Sequence, residues 1–298
     1  MGVWYRMQEH RTAAFFGGDA RQAYALRAFA QAGWAVRQFD VPAVPGVEQG
    51  EAFSSLRGAL DGADVVLGPV PWKGSPPEEL PALLAQRQVF FAGMVPQGLR
   101  EELNRRGIPW YDLLEREDFA VLNAISTAEG AIAEAIAAGG GNLHLSCALV
   151  LGYGRCAKPL ARKLQGLGAH VTVAARRWEA ACAAISDGCE VLDFRMMPCH
   201  LPRFAYIFNT VPAMVLDESL LPGVSPDAVI IDIATTPGGV DFQAAEALGR
   251  TALLCQSLPG KYAPRATGEC VAQTVRIILE EREEESPWGW NKCVPASD

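Results

Sequence analysis

The chain has 298 residues, half of them hydrophobic and a fifth charged, which suits two domains of ordinary size with real cores. A formal net charge of −8 argues against nucleic acid or an anionic membrane as the main partner. No apolar run approaches the roughly 20 residues a spanning helix needs, and no signal-like start is present, so a soluble, cytoplasmic protein is expected.

From Thr12 onward, short apolar runs alternate with helical patterns. Strands are expected at 13–17, 35–39, 64–70, 89–93 and 110–113, with helices at 20–31, 53–60, 77–85 and 97–106. A long alanine-rich helix follows at 124–138 and ends in the glycine run 139–141. A second series of strands then starts at 146 and continues at 171–174, 191–194, 205–209, 229–233 and 252–255. A Pro/Gly-rich loop at 258–265 precedes a last helix at 268–284, and the tail from 286 shows no periodicity.

Strands that alternate with helices make parallel sheets covered on both faces. The fold class is therefore α/β, with two doubly wound parallel-sheet (Rossmann-like) domains and an interdomain cleft. Residues 1–122 form the first, a flavodoxin- or Rossmann-like substrate domain completed by the C-terminal helix 266–285. Residues 123–265 form the dinucleotide-binding domain, and 286–298 are a tail.

The sharpest local signal lies at the start of that second domain. The apolar strand 147–151 runs straight into Gly152-Tyr153-Gly154-Arg155-Cys156-Ala157, and a helix with Leu160, Leu164 and Leu167 follows. This is G-x-G-x-x-A in its proper context. The first glycine allows the tight turn, the second lets backbone approach a pyrophosphate, and the small Ala157 lets the helix pack on its strand. Tyr153, Arg155 and Cys156 ride on the same turn, whose helix N-terminus offers N–H groups to phosphate.

The next strand ends at Arg176 and Arg177, where an NAD-binding fold would usually carry an acid for the ribose 2′-hydroxyl. Arginine there suits a 2′-phosphate, so NADP is favoured, with NAD as the alternative.

Ligands in open α/β sheets bind beyond the carboxyl ends of strands. On that rule Thr210, Val211 and Pro212, and Asp232 with Ala234, would face the cofactor. In the first domain the matching place is Gly17–Gln22, where Asp19 can cap a helix and Arg21 and Gln22 follow. A cation in a first helical turn opposes the helix dipole unless it serves an anionic ligand. Asn123 and Thr127 stand at the start of the crossing helix, as polar groups between the domains or plain caps, and Lys261 lies in the returning loop, placed to meet a carboxylate or simply solvated. His144 is the candidate acid–base group, with a structural role as the alternative reading.

Eight cysteines include no C-x-x-C pair, and His144 and His200 lack ligand-spaced partners, so no metal is expected and the thiols read as structural in a reducing compartment.

Six strings in order resemble one family: GGDARQ at 17–22, NAISTAEG at 123–130, LVLGYGRC at 149–156, FNTVP at 208–212, IDIA at 231–234 and LPGK at 258–261. The chain resembles the A subunit of dipicolinate synthase from spore-forming bacteria, up to about residue 285, with a fold similar to the 2-hydroxyacid dehydrogenases. Ala157 departs from the glycine expected of that family.

The resemblance implies oxidation of a dihydrodipicolinate-type intermediate on a branch of the lysine pathway during sporulation, with hydride passed to the nicotinamide cofactor. It also implies the flavoprotein-like B subunit of dipicolinate synthase as partner, and assembly as a homo-oligomer. Arg21 and Lys261 would meet the carboxylates, with Asn123, Thr127 and Gln22 as orienting groups.

Two other functions compete. A 2-hydroxyacid or amino-acid dehydrogenase would need a histidine late in the second domain, and none lies beyond His200. A regulatory subunit would bind nucleotide without turnover.

Overall fold

The computed structural model describes residues 11–139 and 141–284, which divide into two units. The first takes in the chain up to Ala120 and from Pro264 onward, the second Val121–Ala263. The tail expected from residue 286 lies outside the described residues.

In the first unit, Thr12–Phe16 (β1) leads into Ala20–Gln31 (α1) and Ala35–Phe39 (β2). Glu51–Ala52 (β3), Leu56–Leu60 (α2), Val65–Leu67 (β4), Leu80–Leu83 (α3), Val89–Ala92 (β5), Gln97–Arg106 (α4) and Trp110–Asp112 (β6) follow. All the strands are parallel, in the order β3-β2-β1-β4-β5-β6. Alternation along each strand splits the core into two layers. Ala13, Phe15, Val65, Leu67 and Phe91 face one side, where Leu26 and Phe29 of α1 meet Val271, Val275 and Ile278. Ala14, Phe16, Val66 and Phe90 face the other, against Leu60, Leu80, Leu99 and Leu103.

A 22-residue helix, Glu117–Ala138 (α5), opens the way to the second unit. That unit runs through Cys147–Leu151 (β7), Ala157–Gly166 (α6), His170–Ala174 (β8), Trp178–Ser186 (α7), Glu190–Leu192 (β9) and Met197–His200 (α8). It continues with Tyr206–Asn209 (β10), Val229–Asp232 (β11), Phe242–Ala247 (α9), Thr251–Leu254 (β12) and Leu258–Tyr262 (α10). Its sheet, again parallel, has the order β12-β11-β10-β7-β8-β9. Read from the other edge, this is the arrangement of the first sheet. In both, the chain reverses direction across the sheet after its third strand, so the switch points lie between β1 and β4 and between β7 and β10.

Several boundaries differ from the sequence reading, three of them around the passages between the units. α5 starts at Glu117 rather than 124, because Phe119 is buried and continues the helical stripe toward the N-terminus. Thus lengthened, it is long and apolar enough by composition to cross a membrane, against the expectation above. Half of its most apolar stretch is buried, and Ala128, Ala131, Ile132 and Ala135 sit in the core of the second unit. The stretch expected as a loop at 258–265 is the short helix α10, and the last helix, Pro264–Glu284 (α11), follows it directly. Proline fits the first turn of each, where no N–H is needed.

Gly268 is what lets α11 lie on α1. A Cβ there would sit 2.7 Å from Tyr24 Cβ and collide with the Arg21 carbonyl. Gly268→Ala is therefore expected to destabilise the protein by about 1–2 kcal/mol, since overpacking outweighs the better helix propensity of alanine. Urea denaturation measures it, and a variant as stable as the parent would contradict the close crossing.

Candidate functional site

At the switch point of the second unit, Gly152 turns the chain with φ 87° while its N–H donates to the Ala174 carbonyl at 2.8 Å. A Cβ on Gly152 would come within 2.9 Å of both Thr210 Oγ1 and Val211 Cγ2, so the turn packs directly on the loop after β10. Gly154 is different. Its conformation is open to any residue, and beyond its chain neighbours no atom lies within 4 Å of where its Cβ would be. Its bare backbone lines a cavity instead, and α6 begins behind it without a side-chain cap on its free N–H groups.

Tyr153 between them is buried, and its hydroxyl donates to Asp187 Oδ2 at 2.6 Å. Arg162 meets the same carboxylate at 3.1 Å. Burial and then this hydrogen bond push the phenol well above its usual range, so Tyr153 is a neutral strut that ties the turn to the segment before β9.

The cavity measures about 490 Å³, within the range of small-molecule sites. It is lined by the turn, by Arg176 and Arg177 beyond β8, by Phe194 and Met197 beyond β9, and by residues from Thr210 to Val215 beyond β10. Both arginines are exposed, and neither guanidinium has a hydrogen bond or ion pair among the described residues. Phe194, Met197, Met214, Val215 and Leu220 form an apolar side that sequence reading missed, because they lie in short or irregular segments with no periodicity.

Several expected cofactor residues fall elsewhere. Arg155 and Cys156 do not line the cavity, and burial pushes the Cys156 thiol up. Val211 and Pro212 do line it, and so does Thr210, although its hydroxyl donates to the Leu151 carbonyl at 2.7 Å.

Asp232 and Ala234 are a correction. Asp232 is fully buried, opposite Asn209 in the register of β10 and β11, and accepts from Asn209 Nδ2 at 2.8 Å. Its oxygens also take the N–H groups of Ala234 at 2.9 Å and Gly239 at 2.7 Å. Asn209 holds the other loop, accepting from Val211 N–H and donating to the Val211 carbonyl, both at 3.0 Å. The pair thus braces the cavity loop from behind, and its polar groups are engaged with protein rather than with a ligand.

In the first unit, Gly17 and Gly18 turn the chain with φ 60° and 86° into Asp19, the cap of α1. Arg21 is the second correction. It is 5% exposed and forks onto Asp19 with Nε at 2.9 Å and Nη2 at 2.6 Å. The lone cation expected from sequence is a paired one, which removes the helix-dipole argument for it. Burial pushes the Asp19 carboxyl up, but the Arg21 hydrogen bonds and charge outweigh it and hold the group below its usual range.

Lys73, which sequence reading passed over, adds to this effect, is exposed and has no partner among the described residues. Gln22 is buried too and donates to the Leu67 carbonyl at 2.9 Å, so it ties α1 to the end of β4 instead of reaching a ligand.

Four more residues do not gather where sequence placed them. His144 precedes β7 and lies over Gly168, whose Cβ would come 2.9 Å from its Cε1 and closer still to Nδ1. That is the amino end of the sheet, a strand length of roughly 15 Å from the carboxyl-end cavity, so the acid–base role is not supported. Thr127 Oγ1 donates to the Asn123 carbonyl at 3.0 Å within α5. Asn123 Oδ1 is buried without a partner among the described residues. Lys261 is paired with Glu134 at 2.5 Å, and that hydrogen bond raises its pKa, so its charge is already met. Among the described residues no group of three or more His, Cys, Asp or Glu could hold a metal ion.

No family model matches the chain. Over 170 residues it is 38% identical to the A subunit of dipicolinate synthase from Bacillus subtilis (strain 168), a match covering 57% of each chain. The solved A chain of Bacillus subtilis dipicolinate synthase superposes with a TM-score of 0.82 at 28% identity, covering 94% of this chain and 99% of that one. The chain resembles the A subunit of dipicolinate synthase. In sequence, the match spans a little over half the length of this curated relative. An L-alanine dehydrogenase structure shares the fold at 15% identity, with a TM-score of 0.67 and coverage of 92% and 90%.

Asp232→Asn is expected to set an amide N–H against backbone donors in a buried place, costing about 2–4 kcal/mol of stability. Thermal melts read it. Unchanged stability would remove Asp232 from the brace.

Proposed function

We propose that the chain oxidises a dihydrodipicolinate-type intermediate to pyridine-2,6-dicarboxylate, with hydride transfer to NADP, as the A subunit of a sporulation enzyme. One observation carries the reading. A chain similar to the A subunit of dipicolinate synthase has, at a Rossmann switch point, a cavity walled by bare glycine backbone on one side and partnerless arginines on another.

The bound nicotinamide would supply the hydride acceptor. The ring loses two electrons with one hydride, a proton leaves to water, and aromaticity drives the step, so a strong protein base is not required. What the chain contributes is binding and orientation. Gly154 and the uncapped start of α6 suit the pyrophosphate, and Phe194, Met197 and Met214 suit the flat adenine. Arg176 and Arg177 suit a 2′-phosphate, which favours NADP over NAD. In the first unit, the Asp19–Arg21 pair and the free Lys73 form the charged edge for the carboxylates, with Lys73 as the main cation. A flavoprotein-like B subunit as partner, self-association and a reducing cytoplasm, that of the mother cell, belong to the same reading.

The purified chain, alone and with the B subunit of dipicolinate synthase, should reduce NADP when given dihydrodipicolinate, followed at the absorbance of the reduced nicotinamide. Nucleotide binding with no turnover in either case would favour a regulatory subunit. Arg176→Ala should weaken NADP at least about tenfold while changing NAD little, since a charge-assisted phosphate contact contributes on the order of 1.5–3 kcal/mol. Equal losses for both nucleotides would refute the 2′-phosphate contact.

A further inference from the structure

Neither core packing nor charge pairing accounts for Met94, at the carboxyl end of β5. It is 59% exposed and holds φ 56°, a left-handed conformation that glycine adopts freely and a side chain disfavours. The fold nevertheless fixes it there. Buried Asp112 accepts the Met94 N–H at 3.0 Å and the Val95 N–H at 2.8 Å. Arg100 clamps Asp112 at 2.6 Å and donates to the Val95 carbonyl at 2.7 Å. A charged pair is thus built behind a turn whose product is an apolar side chain held out toward solvent.

The turn stands on the ligand edge of the sheet. Gly93 N–H donates to the Pro69 carbonyl at 3.0 Å, and Gln22 joins the same loop at Leu67. So the segments beyond β1, β4 and β5 are knitted side by side, with β1 and β5 about 10 Å apart across one intervening strand. A pyridine dicarboxylate has charge at its rim and two flat apolar faces. Cations suit the rim, and a polarisable thioether suits a face.

We infer that Met94, on the turn that Asp112 and Arg100 hold, is a substrate-binding residue, the platform for the ring face of the dicarboxylate. The inference rests on the dicarboxylate reading above.

Calorimetric titration of the full-length, NADP-loaded protein with pyridine-2,6-dicarboxylate tests it. Met94→Ala and Met94→Gly should both weaken binding by about 5–10-fold, and Met94→Leu should retain most of the affinity. Stability should run the other way for glycine, with a melting midpoint equal to or above that of the parent, because the left-handed strain is relieved. A structural role would instead lower affinity and stability together. Unchanged affinity in Met94→Ala, or a fall in both quantities in Met94→Gly, overturns the inference alone. No binding by the parent protein overturns the dicarboxylate reading and this inference with it.

Discussion

A buried hydrogen-bonded pair, Asn209 with Asp232, holds the working edge of the second unit in shape. Two adjacent parallel strands end in register, and at that level each carries a polar side chain with no exposure to water. Such groups are tolerable only when every donor and acceptor is met. Here the partners are one another and the backbone of the two departing loops, Val211 on one side and Ala234 and Gly239 on the other. Gly239 has to be glycine, because a Cβ would press within 2.5 Å of the Ala213 carbonyl and Asn209 Nδ2. The cavity wall from Thr210 to Val215 inherits its position from this arrangement.

The glycine turn depends on the same edge. Gly152 leaves room for Thr210 and Val211, while Tyr153 anchors the turn through Asp187. Only after these protein contacts are satisfied is Gly154 left bare, with nothing beyond its chain neighbours within 4 Å of its missing Cβ. The two glycines of one motif therefore answer to different constraints, one to packing within the protein and one to the space in front of it.

The first unit repeats the strand order with different chemistry. Its switch point is closed by Gln22 across β1 and β4, and the forked ion pair of Asp19 with Arg21 lies at the head of α1. Burying a guanidinium requires a partner. The adjacent carboxylate supplies one, and Lys73 is left exposed beside the pair.

Much of the strand–helix order was legible, because hydrophobic periodicity and glycine at strand ends report local conformation directly. By itself the sequence determined the two parallel α/β units, the glycine turn at Gly152–Gly154, the arginines beyond β8 and the resemblance of the chain. It could not separate ligand-facing polar residues from those already satisfied, since that depends on partners distant in the chain. Thus Asp232, Gln22, Arg21 and Lys261, all candidates for ligands, find partners in Asn209, Leu67, Asp19 and Glu134. His144 is a question of which end of the sheet a residue occupies, and its strand register places it at the amino end. Lys73 and Met94 emerged only because the folded edge leaves them without partners. Local sequence fixes conformation, but the completed set of contacts decides which groups remain free.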